Sequence, residues 1–480
     1  MPNLDKLFYP ENICLIGVSD ATYKGVTPFL YSLKKVNFEK PIYCVNRQKN
    51  KVMFDMKAYK SISDIPDEID YVIIGVPRSE VPQIIKECNE KGVKFATVFT
   101  AGFSELGTEE GKKLELELLE NVNDLRLIGP NCLGVYCQES KLAVTETLKI
   151  QEKEGEVGFI CQSGGHTGSF YYIAENKGFS LNKMVSIGNQ CDLTFQDFIE
   201  YFAEDPRIKV IVSYIEQVKK PQEFLRTLRK SAQKKPIICW KGGQTEEGHI
   251  AAASHTGAVS SSYEIFKAAI EQNGGIVAEC MEELADLTLG ALCLSNKKLG
   301  ENLGIVVPGG GSCVELMDNA TKSGLKVPEF GPETRKKIQE MIQDVNTSTR
   351  NPVDLGMFGW LPIIISKTMS YAAEDPNIDV IIFYYMIERL PRFAERLNDK
   401  RLGKTFLNRF SRVIKKYSKP FICIIPNFIN IDGEITKIRK SVVDKMSGLR
   451  IPFFETMEKT ANVIKKLLKY QQFLDHIEKK

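Results

Sequence analysis

Several features that mark common classes of binding site are missing from this 480-residue sequence. Its 12 cysteines include no Cys-x-x-Cys pair, which indicates buried thiols in a reducing compartment rather than a zinc site or a disulfide framework, so we expect no metal. The formal net charge is only +3, so we expect neither nucleic acid nor an anionic membrane as a partner. The longest apolar runs, such as 380–387, are much shorter than the ~20 residues of a membrane-spanning helix. With no signal-peptide pattern at the N-terminus, these absences predict a cytoplasmic protein.

Two nucleotide-binding fingerprints are also missing. The sequence contains neither G-x-G-x-x-G, which binds the pyrophosphate of NAD, nor G-x-x-x-x-G-K-[ST], which holds ATP in many ATPases. The first turn has only Gly17, Ser19 and Gly25. A nicotinamide-dependent oxidoreductase is therefore the weakest interpretation, although a Rossmann-like domain is still expected.

Short β-rich segments alternate with helical segments over residues 1–150, which predicts a parallel sheet covered by helices. Ligands of such sheets bind outside the carboxyl ends of the strands. These strand ends carry Gly17, Val76-Pro77, Ala101-Gly102 and Asn131. The sequence therefore predicts a nucleotide-type binding site at this edge.

The rest of the chain contains an internal repeat. Residues 157–179 and 303–325 share their glycine positions at an offset of 146, and residues 201–211 match 371–381 at an offset of 170. We therefore predict an α/β protein of three domains: 1–150, followed by two related parallel-sheet domains, 151–298 and 299–480. The change in offset predicts an insertion in the second copy, mainly around 346–360.

His255 is one of only four histidines, and it lies among small residues in the stretch AAASHTGAVS. The corresponding part of the second copy has no histidine. A neutral imidazole with space around it can attack a phosphoryl group and carry it as phosphohistidine. The alternative is that His255 only packs at a helix start.

Two features of the same domain favour the phosphohistidine. The QSGG turn, residues 162–165, joins a strand to a helix and so presents backbone N–H groups to a phosphate, unless it is a plain tight turn. Glu216 ends the apolar strand VIVSYI and can orient an imidazole, although a strand-end glutamate is more often solvated.

The ordered motifs IGPNCLG, CQSGG, IGNQCDLT, KGG, SHTGA and NPVDLG resemble those of the α subunit of nucleoside-diphosphate-forming acyl-CoA synthetases. That family is similar to the α subunit of succinyl-CoA synthetase. The resemblance implies a Rossmann-like domain that binds coenzyme A, followed by two flavodoxin-like domains. It places the coenzyme A site around Gly17, Ser19, Asn46, Arg47, Val76, Pro77, Thr100, Ala101, Gly102, Asn131 and Cys132.

The resemblance also implies a mechanism. Acyl-CoA, ADP and phosphate are interconverted with carboxylic acid, CoA and ATP, through an acyl phosphate and a phosphohistidine. His255 would carry the phosphoryl group, Glu216 would orient it, and Gln162, Ser163, Gly164 and Gly165 would bind phosphate. ADP or ATP with Mg would bind a separate ATP-grasp β subunit in an α₂β₂ assembly, because no segment of this chain is left over for that site.

One alternative function is a CoA-binding regulatory or scaffold protein that has kept the fold without turnover. The retention of His255 and Glu216 argues against it. His166, directly after the QSGG turn, departs from the small apolar residues usual at this position in the family. We interpret it as a local variant rather than a contact to substrate or phosphate.

Overall fold

The computed structural model describes residues 3–19, 24–47, 52–53, 56–143, 148–256, 262–342, 345–427 and 433–479, without the side chains of 52–53, 252–256 and 434. The chain forms two compact units. Residues 1–175 and 179–284 form the first, and residues 176–178 and 285–480 form the second. Among the described residues, no helix combines the length and apolar character needed to cross a bilayer.

The first sheet is parallel except for the short strand β3. Its strands are β1 Ile13–Ile16, β2 Ile42–Val45, β3 Val52–Met53, β4 Met56–Tyr59, β5 Tyr71–Ile74, β6 Phe95–Val98 and β7 Arg126–Ile128. The helices are α1 Asp5–Phe8, α2 Thr27–Lys35, α3 Val81–Glu90 and α4 Glu109–Glu120. The strand order is β3-β4-β2-β1-β5-β6-β7. The order reverses between β1 and β5, and such a switch point opens a crevice at the carboxyl ends of the strands.

The second sheet belongs to the same unit. Its strands are β8 Gly134–Cys137, β9 Leu142–Ala143, β10 Val157–Cys161, β11 Leu181–Ser186, β12 Val210–Ile215, β13 Ile237–Lys241 and β14 Ile276–Ala278, in the order β14-β13-β12-β10-β11-β8-β9. The helices are α5 Gly164–Lys177, α6 Phe195–Glu204, α7 Pro221–Ala232, α8 Glu246–Thr256, α9 Tyr263–Gln272 and α10 Met281–Leu294. Because β8 pairs with β11 in antiparallel fashion, the chain enters this sheet at Gly134, before the expected boundary at 150.

The third sheet lies in the second unit and is parallel throughout its described strands. These are β15 Leu303–Val307, β16 Val353–Asp354, β17 Val380–Tyr384, β18 Phe421–Ile424 and β19 Phe453–Phe454, in the order β16-β15-β17-β18-β19. The helices are α11 Gly310–Lys322, α12 Pro332–Gln339, α13 Pro362–Glu374, α14 Leu390–Arg396, α15 Leu402–Lys416, α16 Gly433–Gly448 and α17 Met457–Glu478.

The strand orders show the internal repeat directly. The order β11-β10-β12-β13-β14 of the second sheet is repeated as β16-β15-β17-β18-β19 in the third. The extra residues of the second copy lie between α11 and β16, where α12 has no counterpart. Most of the insertion therefore precedes the predicted stretch 346–360.

A buried ion pair fixes one end of β11. Lys183 is fully buried, and its Nζ lies 2.7 Å from Asp205 Oδ2 and 2.8 Å from Asn182 Oδ1. Burial alone would raise the pKa of the Asp205 carboxyl, but hydrogen bonds from Arg207 and Lys183 outweigh it and hold this pKa below its usual range. Asp205 therefore stays charged in the folded protein.

We expect Asp205→Asn to lower the free energy of unfolding by about 3 kcal/mol, because the buried Lys183 ammonium loses its nearer counter-ion and keeps only the more distant carboxylate of Glu139, at 3.6 Å. Because the pKa of Asp205 is lower in the folded state, its carboxylate stabilises the folded protein fully above the unfolded-state pKa of about 4. This stabilisation is lost as the pH falls below that value. Urea unfolding at pH 7 and at lower pH measures both effects.

Asp375 supplies the matched control, because it occupies the equivalent place in the second copy. Its carboxylate accepts only backbone N–H bonds among those observed, from Gly331 at 2.7 Å and Asn377 at 2.9 Å. Asp375→Asn should therefore cost clearly less. Equal losses for the two variants would show that the ion pair with Lys183 is not the source of the effect.

Candidate active site

Glycines form the switch point of the first sheet. Gly17 follows β1 with φ of +99°, and a Cβ there would lie 2.3 Å from the carbonyl oxygen of Gly75, which follows β5. Only glycine allows the two strand ends to approach so closely. Next to them, Ser19 N donates to Thr27 Oγ1 at 2.9 Å, and the Thr27 hydroxyl donates back to Ser19 O at 3.0 Å. The predicted Gly17 and Ser19 therefore lie at the crevice.

The neighbouring strand ends bring further predicted residues to this edge. Asn46 Nδ2 donates to Val18 O at 2.7 Å, and Thr100 Oγ1 donates to Val76 O at 2.7 Å. Pro77, Arg47 and Ala101 are exposed beside them. The sequence interpretation missed Arg78, whose Nη1 donates to Gly102 O at 3.0 Å.

Asn131 and Cys132 follow β7 but take different positions. Asn131 has φ of +60° and lines a cleft between the first two sheets. The Cys132 thiol is buried, and its Sγ lies 3.6 Å from Val98 O. Burial raises the pKa of this thiol to about 12. Its sulfur therefore packs inside the domain, and the place of Cys132 in the coenzyme A site stays a prediction.

The QSGG turn leads from β10 into α5. Thr167 N donates to Ser163 O at 3.2 Å, and His166 N lies 3.4 Å from Ser163 Oγ, so Ser163 caps the helix. The amides of a first helical turn have no partner within the helix and carry its positive end. A Cβ at Gly165 would meet nothing closer than Ser163 Oγ at 3.9 Å, so no described residue fills the space beside this glycine.

Gln162 acts differently from the other residues of the turn. Its Oε1 accepts hydrogen bonds from the backbone of Glu216 at 2.8 Å and of Gln217 at 2.9 Å. The side-chain carbonyl therefore holds the end of β12 against the end of β10. This contact positions Glu216, a task that the sequence did not indicate for Gln162.

Glu216 is only 9% exposed, so it is not a solvated strand-end carboxylate. Its side chain lies beside the Tyr214 hydroxyl, and its backbone oxygen accepts from Lys241 Nζ at 2.8 Å. The His166 ring faces the same charge. Burial lowers the pKa of His166, and Glu216 opposes this shift.

A small open cleft is lined by residues of both predicted sites. It receives Asn131 from the coenzyme A side and both Gln162 and Glu216 from the phosphate side. Its lining is completed by residues that the sequence interpretation did not single out: Ser104, Gly188, Asn189, Gln217 and Lys219.

His255 lies near the end of α8, whose described backbone packs against the short 3₁₀ helix Ser104–Leu106 of the first domain. Its side chain and residues 257–261 lie outside the described residues. Thr245 Oγ1 accepts from Gly248 N at 3.0 Å at the start of α8. Gly248 thus lies in the first turn of a helix.

Known proteins agree with this arrangement. Residues 11–138 match the family model of a CoA binding domain, and residues 154–289 match that of a succinyl-CoA ligase like flavodoxin domain. The α subunit of ADP-forming acetate–CoA ligase II from Pyrococcus furiosus is 36% identical over 82% of this chain and 83% of its own length. The α subunit of ligase I from the same organism is 31% identical over 98% of both chains. This chain belongs to the ADP-forming acyl-CoA ligases. It is an α subunit of that family, as its motifs predicted.

A solved relative supports the fold of this ligase subunit over its whole length. The dinucleotide-forming acetyl-coenzyme A synthetase 1 of Candidatus Korarchaeum cryptofilum, in complex with phosphate and ADP, superimposes with a TM-score of 0.84 at 26% identity, covering 100% of this chain and 99% of that one. Other relatives are longer. The ligase subunit spans 54% of acetate–CoA ligase I from Archaeoglobus fulgidus and 49% of the enzyme from Methanocaldococcus jannaschii.

The cleft residues that the sequence interpretation missed include members of a hydrogen-bond network. Asn189 Nδ2 donates to Glu105 Oε2 at 2.6 Å and to Glu115 Oε2 at 2.9 Å, and Lys219 Nζ lies 3.3 Å from Glu115 Oε1. Glu105 also accepts from Phe103 N at 3.0 Å. The network ties the loop after β6 to the second sheet. Asn189 belongs to the motif IGNQCDLT, and this motif was the feature of the sequence that could have identified Asn189 as a site residue.

Proposed function

We propose that this subunit carries out the acyl-transfer and histidine-phosphorylation steps of the reversible reaction between acyl-CoA, ADP and phosphate on one side and carboxylic acid, CoA and ATP on the other. One observation carries the proposal: a single cleft is lined by Asn131 at the edge of the CoA binding domain and by Gln162 and Glu216 beside the QSGG turn. The helix that carries His255 packs against the same loop region.

The first step is acyl transfer. CoA binds at the switch point, around Gly17, Ser19 and the strand ends that carry Asn46, Thr100 and Asn131. A phosphate oxygen attacks the thioester carbonyl carbon, the C–S bond breaks, and the CoA thiolate leaves with the electron pair. The positive end of α5 at Ser163–Gly165 binds the phosphoryl oxygens of the acyl phosphate so formed.

The second step is phosphoryl transfer. A ring nitrogen of His255 attacks the phosphorus, the bond between phosphorus and the acyl oxygen breaks, and the carboxylic acid leaves as its anion. Positive charge develops on the imidazole as the N–P bond forms. The buried carboxylate of Glu216 stabilises that charge, and the sparse solvent around it strengthens the interaction.

The third step requires a partner. Relatives of similar length are named α subunits, which implies a second subunit, and other relatives are about one and a half times as long as this chain. We infer that an ATP-grasp β subunit holds ADP with Mg and receives the phosphoryl group from His255, in an α₂β₂ assembly. Movement of the segment around α8 would carry phosphohistidine from one site to the other.

The proposal predicts a division of activity between the subunits. The full chain combined with its ATP-grasp partner should form ATP from acetyl-CoA, ADP and phosphate, whereas the chain alone should form none, because its nucleotide site is on the partner. A coupled luminescence assay measures ATP, and omission of acetyl-CoA is the control. ATP formation by the chain alone at the rate of the complex would place the nucleotide site on this chain and contradict the assignment.

A further inference from the structure

Three aromatic rings cluster directly beside Glu216. Tyr214 and Trp240 pair in register on β12 and β13, and their ring centroids are 4.6 Å apart. The His166 ring, from the first turn of α5, lies 4.6 Å from Tyr214 and 5.0 Å from Trp240. Because alternate residues of a strand share a face, Tyr214 and Glu216 point to the same side of the sheet. The cluster therefore fixes the Tyr214 ring behind the carboxylate.

The Tyr214 hydroxyl is in place to donate to that carboxylate. Tyr214 is 7% exposed, and its hydroxyl lies next to the Glu216 side chain, because both border the position of a Cβ at Gly242, at 2.6 Å from Tyr214 Oη and 3.4 Å from Glu216 Cγ. Burial, together with the negative charge of Glu216, raises the pKa of Tyr214, so its hydroxyl stays protonated. A hydroxyl that cannot ionise beside a carboxylate acts as its hydrogen-bond donor.

Gly242, directly after β13, leaves the space in which the two groups meet. A Cβ at this position would lie 2.6 Å from Tyr214 Oη and 3.4 Å from Glu216 Cγ. The first distance is shorter than any normal contact, so a methyl group here would displace the hydroxyl. Glycine directly after β13 therefore allows the carboxylate and the phenol to lie this close to the backbone.

We propose that Tyr214 is a positioning residue, whose hydroxyl holds the Glu216 carboxylate in the orientation that the imidazole of His255 needs. The inference rests on the proposed roles of Glu216 and His255. Tyr214 itself is not among the described residues that line the cleft. His166 and Trp240 restrict its ring, so the hydroxyl reaches Glu216 without a further loss of side-chain freedom on binding.

The test measures phosphohistidine formation by the full chain with acetyl-CoA and labelled phosphate. Tyr214→Phe removes one oxygen and keeps the ring; Gly242→Ala disturbs the same hydroxyl from the backbone side. For both we expect the maximal labelling rate to fall about 10- to 100-fold, as for the loss of a hydrogen bond to a charged group. The Michaelis constant for acetyl-CoA should not change, because the CoA site lies on the first sheet.

Tyr171→Phe is the matched control, because it removes a hydroxyl in the same domain, one that donates to Lys149 O at 3.0 Å. It should label at the rate of the wild type and have a thermal midpoint similar to that of Tyr214→Phe. An equal loss of rate in Tyr171→Phe would show that any buried hydroxyl matters to the fold, and would overturn the positioning role.

The failure of this inference and that of the proposed function give different results. If His255→Ala and Glu216→Gln are labelled normally, the proposed chemistry is wrong and Tyr214 has nothing to position. If both lose labelling while Tyr214→Phe and Gly242→Ala keep the wild-type rate, the chemistry stands and only the role of Tyr214 is overturned.

Discussion

Replacing His255 by alanine is expected to abolish the phosphoryl label that the wild-type chain acquires from acyl-CoA and labelled phosphate. Alanine has no nitrogen that can attack phosphorus, and no other group of comparable nucleophilicity is assigned to the step. The label on the wild type should be acid-labile and stable to base, as a phosphorus–nitrogen bond requires. Gel electrophoresis under alkaline conditions, followed by an acid wash, measures it.

His249 provides the control, since it lies on the same helix, α8, and is not assigned to either step. Its backbone N–H donates to Thr245 O at 2.7 Å, and this bond does not depend on the side chain. His249→Ala should therefore be labelled like the wild type. Labelling of His255→Ala at the wild-type level, or loss of label in His249→Ala alone, would move the nucleophile to another residue.

Sequence analysis correctly placed the features that depend on residues close to one another in the chain. Gly17 and the QSGG turn follow buried strands, and in a parallel sheet all such positions lie on one edge. The repeat at 157–179 and 303–325 predicted two sheets of equal topology, and their strand orders agree. Periodicity and turn chemistry carry this information within a few residues of each feature.

The parts that escaped prediction depend on contacts between distant segments. Asn189 bonds to Glu105 and Glu115, 84 and 74 residues away, and no local pattern specifies such pairs. Gln162 was assigned to phosphate because of its place in the turn, yet its carbonyl holds the backbone of Glu216. The entry of the chain into the second sheet at Gly134 likewise depends on antiparallel pairing with β11.

Glu216→Gln is expected to slow formation of phosphohistidine by about 10²- to 10³-fold, the usual effect of removing one group that stabilises transition-state charge. Glutamine has the same shape, and its carbonyl can still accept from Tyr214, so the position of the side chain is preserved. What disappears is the negative charge that faces the developing imidazolium. Rapid-quench measurement of the label at saturating acetyl-CoA and phosphate gives the rate.

An exposed glutamate of the same domain tests whether the labelling rate depends on a negative charge at the site or on the loss of any negative charge. Glu223 lies on α7 of the same domain, and its side chain is 54% exposed and 3.8 Å from Lys220. Glu223→Gln should leave the labelling rate unchanged, and CoA affinity should survive in both variants because its site is on the first sheet. If Glu216→Gln labels as fast as the wild type, the carboxylate does not stabilise the imidazolium, and its burial beside Tyr214 serves only the fold.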